Sequence, residues 1–297
     1  MKTIKKVLIR IAYFYGKFNP KWLAGFLYYR RFKRKIDWIN PTFFNEKLYW
    51  MSFYSNTEKW ILLSDKYKVR QFLINKGYGR YLTYLYGVYE NADLIDFSIL
   101  PNQFVLKTNH GSGEVIVVKN KSKENLDKVK IEINNYLKTP FGYRTAEIHY
   151  LKIKPCIIAE QLLENDSVFS TSIVDYKFYC FGGEPKICGV FFDRNLLSHQ
   201  KHSAFYDMSW HIRPEWKNPK KMDGPMLEIP CPKCFEEMKK ICRELTSDFP
   251  FVRLDLYEVG GKIYFGEFTF TPSACSGGDL NPSLFRELGN MIDLSKC

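Results

Sequence analysis

Two carboxylates near the end of this 297-residue chain have the types and spacing to do chemistry. Asp255 sits in Phe251-Val252-Arg253-Leu254-Asp255-Leu256-Tyr257, and Glu267 sits in Lys262-Ile263-Tyr264-Phe265-Gly266-Glu267-Phe268-Thr269, with Gly260-Gly261 between the two runs. Alternating residues around a Gly-Gly pair predict a β-hairpin, because glycine adopts the positive φ that a tight turn needs. On adjacent strands both carboxylates can aim at one spot, where they repel unless something positive lies between them. Oxygen ligands favour magnesium, which commonly arrives with phosphates. The hairpin alone leaves a second reading open, that of two unrelated surface carboxylates.

A second constellation lies earlier. Phe104-Val105-Leu106-Lys107 reads as a strand, Thr108-Asn109-His110-Gly111-Ser112-Gly113 as a loop, and Val115-Ile116-Val117-Val118 as a returning strand. Backbone amides of such a loop can face phosphate oxygens, with Lys107 adding a cation; a flexible turn is the plainer alternative. A helix-first phosphate loop is excluded, since Glu114 stands where a lysine would have to follow the glycines. Cys231-Pro232-Lys233-Cys234 has zinc-like spacing, but no second Cys or His pair lies at a suitable distance. Cys234, Phe235, Met238, Ile241, Cys242 and Leu245 instead mark the buried stripe of a helix.

The elements that must position these groups follow from pattern. Helices are expected from Ser64 to Lys76, from a Ser122 cap to Leu137, and from Pro232 to Leu245. Cys156–Ala159 reads as a buried strand running into a crossing segment, Glu160–Glu164, and Asp175–Phe181 with Pro185–Phe192 as a hairpin turning at Gly182-Gly183. Residues Leu196 to Leu227 show no period and read as loop. The expected division is 1–58, a basic aromatic helical segment; 59–150, carrying the glycine loop; and 151–297, carrying the magnesium site.

Composition bounds the class. Hydrophobic residues make up 45% of the chain, enough for a substantial core, and no apolar run reaches the roughly 18 residues of a membrane helix. Arg10 interrupts the apolar start, no small-residue cleavage site follows, and the eight cysteines are scattered, so a cytosolic protein is expected. The net charge of +12 is concentrated at the beginning, where eleven lysines and arginines from Lys2 to Lys35 precede the first acidic residue, Asp37. Aromatic residues interleave with them. That mixture suits an anionic membrane surface, an acidic glycan or, less well, nucleic acid, and it also suits helices with a solvated basic face.

The order of these parts resembles the ATP-grasp superfamily. Asp65-Lys66-Tyr67-Lys68-Val69-Arg70, Leu100 to Gly113, Asp175-Tyr176-Lys177-Phe178, Phe192-Asp193-Arg194 and Phe265-Gly266-Glu267-Phe268-Thr269-Phe270 resemble its TupA-like branch, named for teichuronopeptide biosynthesis, over roughly residues 40–295. The resemblance implies an α+β ATP-grasp fold, with two lobes whose antiparallel sheets clasp ATP, preceded here by the basic helical segment. It implies that Lys107 holds the α- and β-phosphates, that Gly111, Ser112 and Gly113 close over the rest, and that Glu160, Gln161 and Leu162 meet adenine. Glu164 or Asp166 would meet the ribose. Lys177 and Arg194 would face phosphate or acyl phosphate, Arg253 would steady the tetrahedral intermediate, and Ser276, Gly277 and Gly278 would contact the acceptor. Asp255, Glu267 and Thr269 would hold Mg2+. The family tends to have asparagine at the last of these positions, which leaves the number of magnesium ions open.

The implied reaction joins a carboxylate to an amine at the expense of ATP, with an amino acid and an acidic cell-surface glycan of capsular or teichuronic type as substrates, at the inner membrane face. A glycosyltransferase using a nucleotide sugar is the alternative, although no pair of aspartates separated by one residue marks its metal site. A polyanion-binding module would leave Arg253, Asp255 and Glu267 idle, and a kinase stopping at phosphoryl transfer is a further possibility.

Overall fold

A computed structural model describes residues 11–194, 201–222 and 227–297. The chain forms two units: one takes residues through Leu27 together with Thr57–Leu163, the other Tyr28–Asn56 with Glu164–Cys297. Lys2, Lys5, Lys6 and Arg10 of the expected basic segment lie outside the described residues. Residues 11–18 are helical (α1), and α2 (Pro20–Phe32) follows after Asn19, whose side chain accepts from Trp22 N at 3.0 Å. No helix among the described residues is long and apolar enough to cross a membrane.

The first unit is built on a four-stranded antiparallel sheet of β1 (Leu85–Tyr89), β2 (Phe104–Thr108), β3 (Val115–Val118) and β4 (Ile157–Glu160), ordered β1-β4-β2-β3. Side chains alternate across a strand, so Phe104 and Leu106 of β2 share a face with Ile157 and Ala159 of β4. They pack with Val129 and Ile133 of α6 (Leu126–Lys138) in one buried cluster. Lys107 and Glu160 are thereby turned to the other face.

The second unit holds a five-stranded antiparallel sheet, β7-β6-β5-β8-β9, from β5 (Asp175–Phe181), β6 (Glu184–Phe192), β7 (His202–Tyr206), β8 (Phe251–Val259) and β9 (Lys262–Thr269). The hairpins turn at Gly182-Gly183 and Gly260-Gly261, with positive φ at all four glycines. Helix α7 (Phe235–Thr246) buries Phe235, Met238, Ile241, Cys242 and Leu245, the stripe expected from the sequence, and Phe235 lies 6.1 Å ring to ring from Phe178 of β5. The even-numbered residues of β5 and β8 face that helix, which leaves Asp175, Lys177, Arg253 and Asp255 on the opposite face. Helix α3 (Phe44–Tyr54) adds to the same unit, with Phe44 fully buried against Phe251 and Phe285.

Three expectations are corrected, and one strand was missed. Ser64–Lys76 is not one helix: α4 (Glu58–Ser64) ends where Asp65 begins a new turn, and α5 (Lys68–Asn75) follows, with Asp65 Oδ1 accepting from Tyr67 N and Lys68 N. Ser122 does not cap α6. Asn125 does, accepting from Lys128 N at 3.0 Å, while Ser122 falls in a short 3-10 turn. Residues 196–227 are not all loop, because β7 adds an edge strand against β6. Strand β1 had no reading from the sequence; Gly87 interrupts its pattern, and its partners lie about seventy residues away on β4. The cap makes a direct test: Asn125→Ala should cost about 1 kcal/mol in chemical denaturation, and Ser122→Ala a few tenths at most. Equal costs would overturn the assignment.

Candidate active site

In the first unit, both oxygens of the buried Glu160 carboxylate are engaged. Lys107 Nζ lies 2.8 Å from Oε2 and Arg70 Nη1 2.8 Å from Oε1. Arg70 also donates to Thr83 O at 2.5 Å. Burial alone would push the Glu160 carboxyl up, but Lys107 and then Arg70 overcome it and hold the group below its usual range. Glu160 therefore orients Lys107 on the open face of the sheet. Gln161 continues β4 by exchanging hydrogen bonds with Tyr84: its N donates to Tyr84 O at 2.9 Å and its Oε1 accepts from Tyr84 N at 3.3 Å. Leu162 is half-buried beyond it.

The glycine loop is anchored at its base and open at its tip. Asn109 donates to Asp65 Oδ1 at 2.9 Å and to Lys154 O at 3.0 Å, and its own Oδ1 accepts from Cys156 N at 2.7 Å. Lys66 Nζ donates to Gly111 O. Thr108 Oγ1 donates to Glu114 Oε2 at 2.5 Å. Ser112 and Gly113 are exposed, so the part expected to move over phosphate carries none of the anchoring bonds.

In the second unit, strand register assembles the charged groups in rows. Lys177, Asp255 and Glu267 stand side by side on β5, β8 and β9, and Tyr179, Arg253 and Thr269 form the next row. The pairing shifts between Asp255 and Leu256, leaving Gly266 as the extra residue. A Cβ there would lie 2.8 Å from Asp255 O, so the bulge that keeps Glu267 opposite Asp255 requires glycine. Arg253 clamps the pair: Nε lies 2.6 Å from Asp255 Oδ1, and Nη2 lies 2.8 Å from Asp255 Oδ2, 3.2 Å from Glu267 Oε1 and 2.9 Å from Thr269 Oγ1. Thr269 in turn donates to Glu267 Oε1 at 2.9 Å. Lys177 Nζ bridges Asp255 and Asp175, the latter at 2.6 Å, and Arg194 Nη1 reaches Asp175 at 2.9 Å. Three carboxylates and three cations thus share one sheet face.

Their acidities diverge. Burial pushes the Asp175 carboxyl up, and Asp175 Oδ1 is buried without a hydrogen-bond partner. Asp255 is equally buried, yet Arg253 and Lys177 outweigh burial and hold it below the usual carboxylate range. Asp255, whose carboxyl is held below the usual range, stands opposite Glu267, whose Oε2 receives no donor from the described residues, and this pair of carboxylates fits a magnesium ion. Among the described residues no group of three or more His, Cys, Asp or Glu gathers as an all-protein cage.

The remaining expected residues divide. Glu164 and Asp166 are both exposed, and Asp166 Oδ2 accepts from Gly260 N at 2.7 Å, which ties it to the hairpin turn. Ser276 N donates to Ser273 O at 3.1 Å within a loop where Ser273, Ala274 and Cys275 all have positive φ, a costly run for residues other than glycine. Asn45 and Tyr49 of α3 hold that loop by donating to Cys275 O at 2.5 Å and to Ala274 O at 3.2 Å. Sequence reasoning gave no role to Asn45 or to Arg70, nor to a cluster at the far end of the same sheet face. There Lys201 and Lys221 lie 2.8 and 2.5 Å from the two oxygens of Asp279, and the ammonium groups of Lys201 and Lys177 stand 4.4 and 5.5 Å from the Phe191 ring centre. The signal that could have found Arg70 is its place in the Asp65–Arg70 run. The lysine cluster joins residues far apart in sequence and left none.

Glu160 ties the charged cluster of the first unit to pH. Its folded pKa is depressed, so its contribution is complete above the ordinary glutamate range and lost as pH falls through the folded value. Arg70→Met should therefore shift acid unfolding, followed by circular dichroism, to higher pH than in the wild type. Superimposable acid limbs would remove Arg70 from this role.

The TupA-like ATPgrasp family model matches residues 46–293. Among solved structures, D-alanine–D-alanine ligase from Helicobacter pylori is similar at 16% identity and a TM-score of 0.44, over 85% of this chain and 67% of that one. The Bacillus anthracis enzyme complexed with ATP is similar at 14% and 0.45, over 78% and 65%. The ATP-grasp ligase PsnB, complexed with a phosphomimetic variant of its minimal precursor, Mg and ADP, is similar at 10% and 0.43, over 84% and 66%. The chain thus spans about two thirds of the length of these structures. No curated protein matches it. With the family model covering most of the sequence and two antiparallel sheets carrying its motifs, the chain belongs to the TupA-like ATP-grasp family.

Proposed function

We propose that this protein is an ATP- and Mg2+-dependent carboxylate–amine ligase that joins an amino acid to a uronic-acid carboxylate of a cell-surface polysaccharide. The observation that carries the reading is the register row Lys177–Asp255–Glu267 with Arg253 clamped behind it. Lys107 and the Gly111–Gly113 loop take the phosphates, and Glu160 sets the lysine while Gln161 and Leu162 lie along adenine. Glu164, exposed where Asp166 is engaged, takes the ribose.

A substrate carboxylate oxygen attacks the γ-phosphorus of ATP, the bond to the β,γ-bridging oxygen breaks, and ADP leaves an acyl phosphate. Both reactants are anionic, so Lys177 and Arg194 lower the repulsion along the approach. Asp255 and Glu267, with Thr269 beside them, would hold Mg2+, which would supply further charge neutralisation for the phosphate. The amine nitrogen then attacks the acyl carbon, negative charge gathers on its oxygen, and inorganic phosphate and a proton leave as the amide forms. Arg253 and the backbone of Gly277 and Gly278 stabilise that oxygen, Ser276 N being used within its own turn. Water must be kept out until the amine arrives, and the open tip of the glycine loop is the natural cover.

An acidic acceptor is supported by the lysine cluster. Lys201, Lys221 and Lys177 flank one sheet face, and burial together with neighbouring cations makes the charged form of Lys201 less favourable than usual. A second carboxylate arriving there would relieve that cost. A nucleotide-sugar transferase finds no comparable support, since the carboxylates pair across strands and the sequence has no two aspartates separated by one residue.

Magnesium with a non-hydrolysable ATP analogue should raise the melting temperature, by the equivalent of about 2.7 kcal/mol at a hundredfold excess over Kd, and UDP-sugars should not. ADP release should depend on both an amino acid and an acidic glycan. Glu267→Gln should lower it on the order of a hundredfold or more, and Lys201→Gln/Lys221→Gln should raise KM for the glycan while leaving ATP binding intact. Stabilisation by a UDP-sugar alone would reverse the assignment.

A further inference from the structure

Outside the site, α1 and α2 carry an aromatic ridge that the chemistry does not use. Phe14, Phe18, Trp22 and Phe26 recur at every fourth position and are 57%, 66%, 46% and 41% exposed. They touch one another: Phe14 and Phe18 lie 4.8 Å apart, Trp22 and Phe26 stack at 5.5 Å and 4°, and Tyr15 stacks on Trp22 at 4.1 Å. Exposed rings assembled into a continuous strip are far rarer than single exposed aromatics and mark an interaction surface.

The opposite side of these helices is fixed. Gly16 approaches the Tyr143 backbone so closely that a Cβ would lie 1.7 Å from Tyr143 O, and the Tyr13 ring sits 5.0 Å from that of Tyr143. Leu23 and Ala24 are fully buried. Only glycine permits the contact at position 16, and the contact turns the ridge outward.

Charge and chemistry select the partner. Lys17 and Lys21 are exposed beside the ridge, Arg30 and Arg31 close α2, and Lys33 and Lys35 follow, with no acidic residue before Asp37. Between residues 11 and 36 there is no Asp, Glu, Gln, Ser or Thr, and the one amide side chain, Asn19, is spent on Trp22 N. A glycan site would pair ring stacking with carboxylate or amide acceptors for hydroxyl groups, and here only tyrosine hydroxyls such as that of the exposed Tyr29 stand near the rings. Aromatic rings flanked by lysine and arginine match the interface of an anionic bilayer, with rings at the acyl boundary and cations among the headgroups.

We propose that this ridge docks the protein on an anionic lipid bilayer. The inference does not rest on the ligase reading. The test is co-sedimentation of the full chain with phosphatidylcholine vesicles, alone and mixed with phosphatidylglycerol, using wild type, Phe18→Ser/Trp22→Ser, and Lys17→Gln/Lys21→Gln. The wild type should bind the mixed vesicles, and its tryptophan emission should shift to the blue. The serine variant should bind at least about tenfold more weakly with an unchanged melting temperature, and the glutamine variant should lose the preference for anionic lipid. Should the serine variant melt early, quenching of wild-type emission by brominated lipid reports the same insertion. Absence of vesicle binding, equal binding by the serine variant, or capture by heparin or single-stranded RNA without vesicle binding would each overturn the proposal.

Discussion

The charged face of the five-stranded sheet depends on one constraint: carboxylates removed from water must be neutralised by cations that the same strands deliver. Asp255 is the pivot. It receives Arg253 from its own strand and Lys177 from the next, and those two hold it ionised against burial. Removing either cation would leave a buried uncompensated charge, the costliest kind of loss in an ion network. The arrangement is balanced, and that is its chemical use. A polyphosphate brought to such a surface meets cations already oriented and desolvated, which stabilise developing charge without reorganising.

The same logic appears in smaller form in the four-stranded sheet. Glu160 is a buried carboxylate whose two oxygens are divided between Arg70 and Lys107. The pair fixes where the Lys107 ammonium points, and the alternation of β2 places it away from the apolar core under α6. Each unit thus turns one face of a sheet to a helix and keeps the other for charge. Each also shows backbone compromises where charge is displayed: a bulge at Gly266 that admits no side chain, and a run of positive φ at Ser273–Cys275 held by Asn45 and Tyr49.

The reading from sequence succeeded where the signal is local. Residues Phe251–Val259 and Lys262–Thr269 pair as expected because period-two alternation and a Gly-Gly turn specify a hairpin without outside help. The stripe of α7 was legible for the same reason. It failed where a competing local residue or a distant partner decided. Asn125 captured the cap of α6 three residues after Ser122, Asp65 divided one apparent helix into two, and β7 formed from an aperiodic stretch because β6 offered it an edge.

By itself the sequence determined the element types, the hairpin carrying Asp255 and Glu267, the loop after Lys107 and the family motifs in their order, since each rests on propensity, period or turn chemistry within a few residues. Only the tertiary structure decided that Arg253 rather than solvent lies against both carboxylates, that Arg70 shares Glu160 with Lys107, that Lys201 and Lys221 meet on Asp279, and that the N-terminal aromatic residues form an outward strip. Those outcomes depend on strand register and close packing between segments far apart in sequence, Arg70 and Glu160 being 90 residues apart. A change of one residue in strand register would carry Lys107, Glu160, Lys177, Arg253, Asp255 and Glu267 to the opposite face of their sheets.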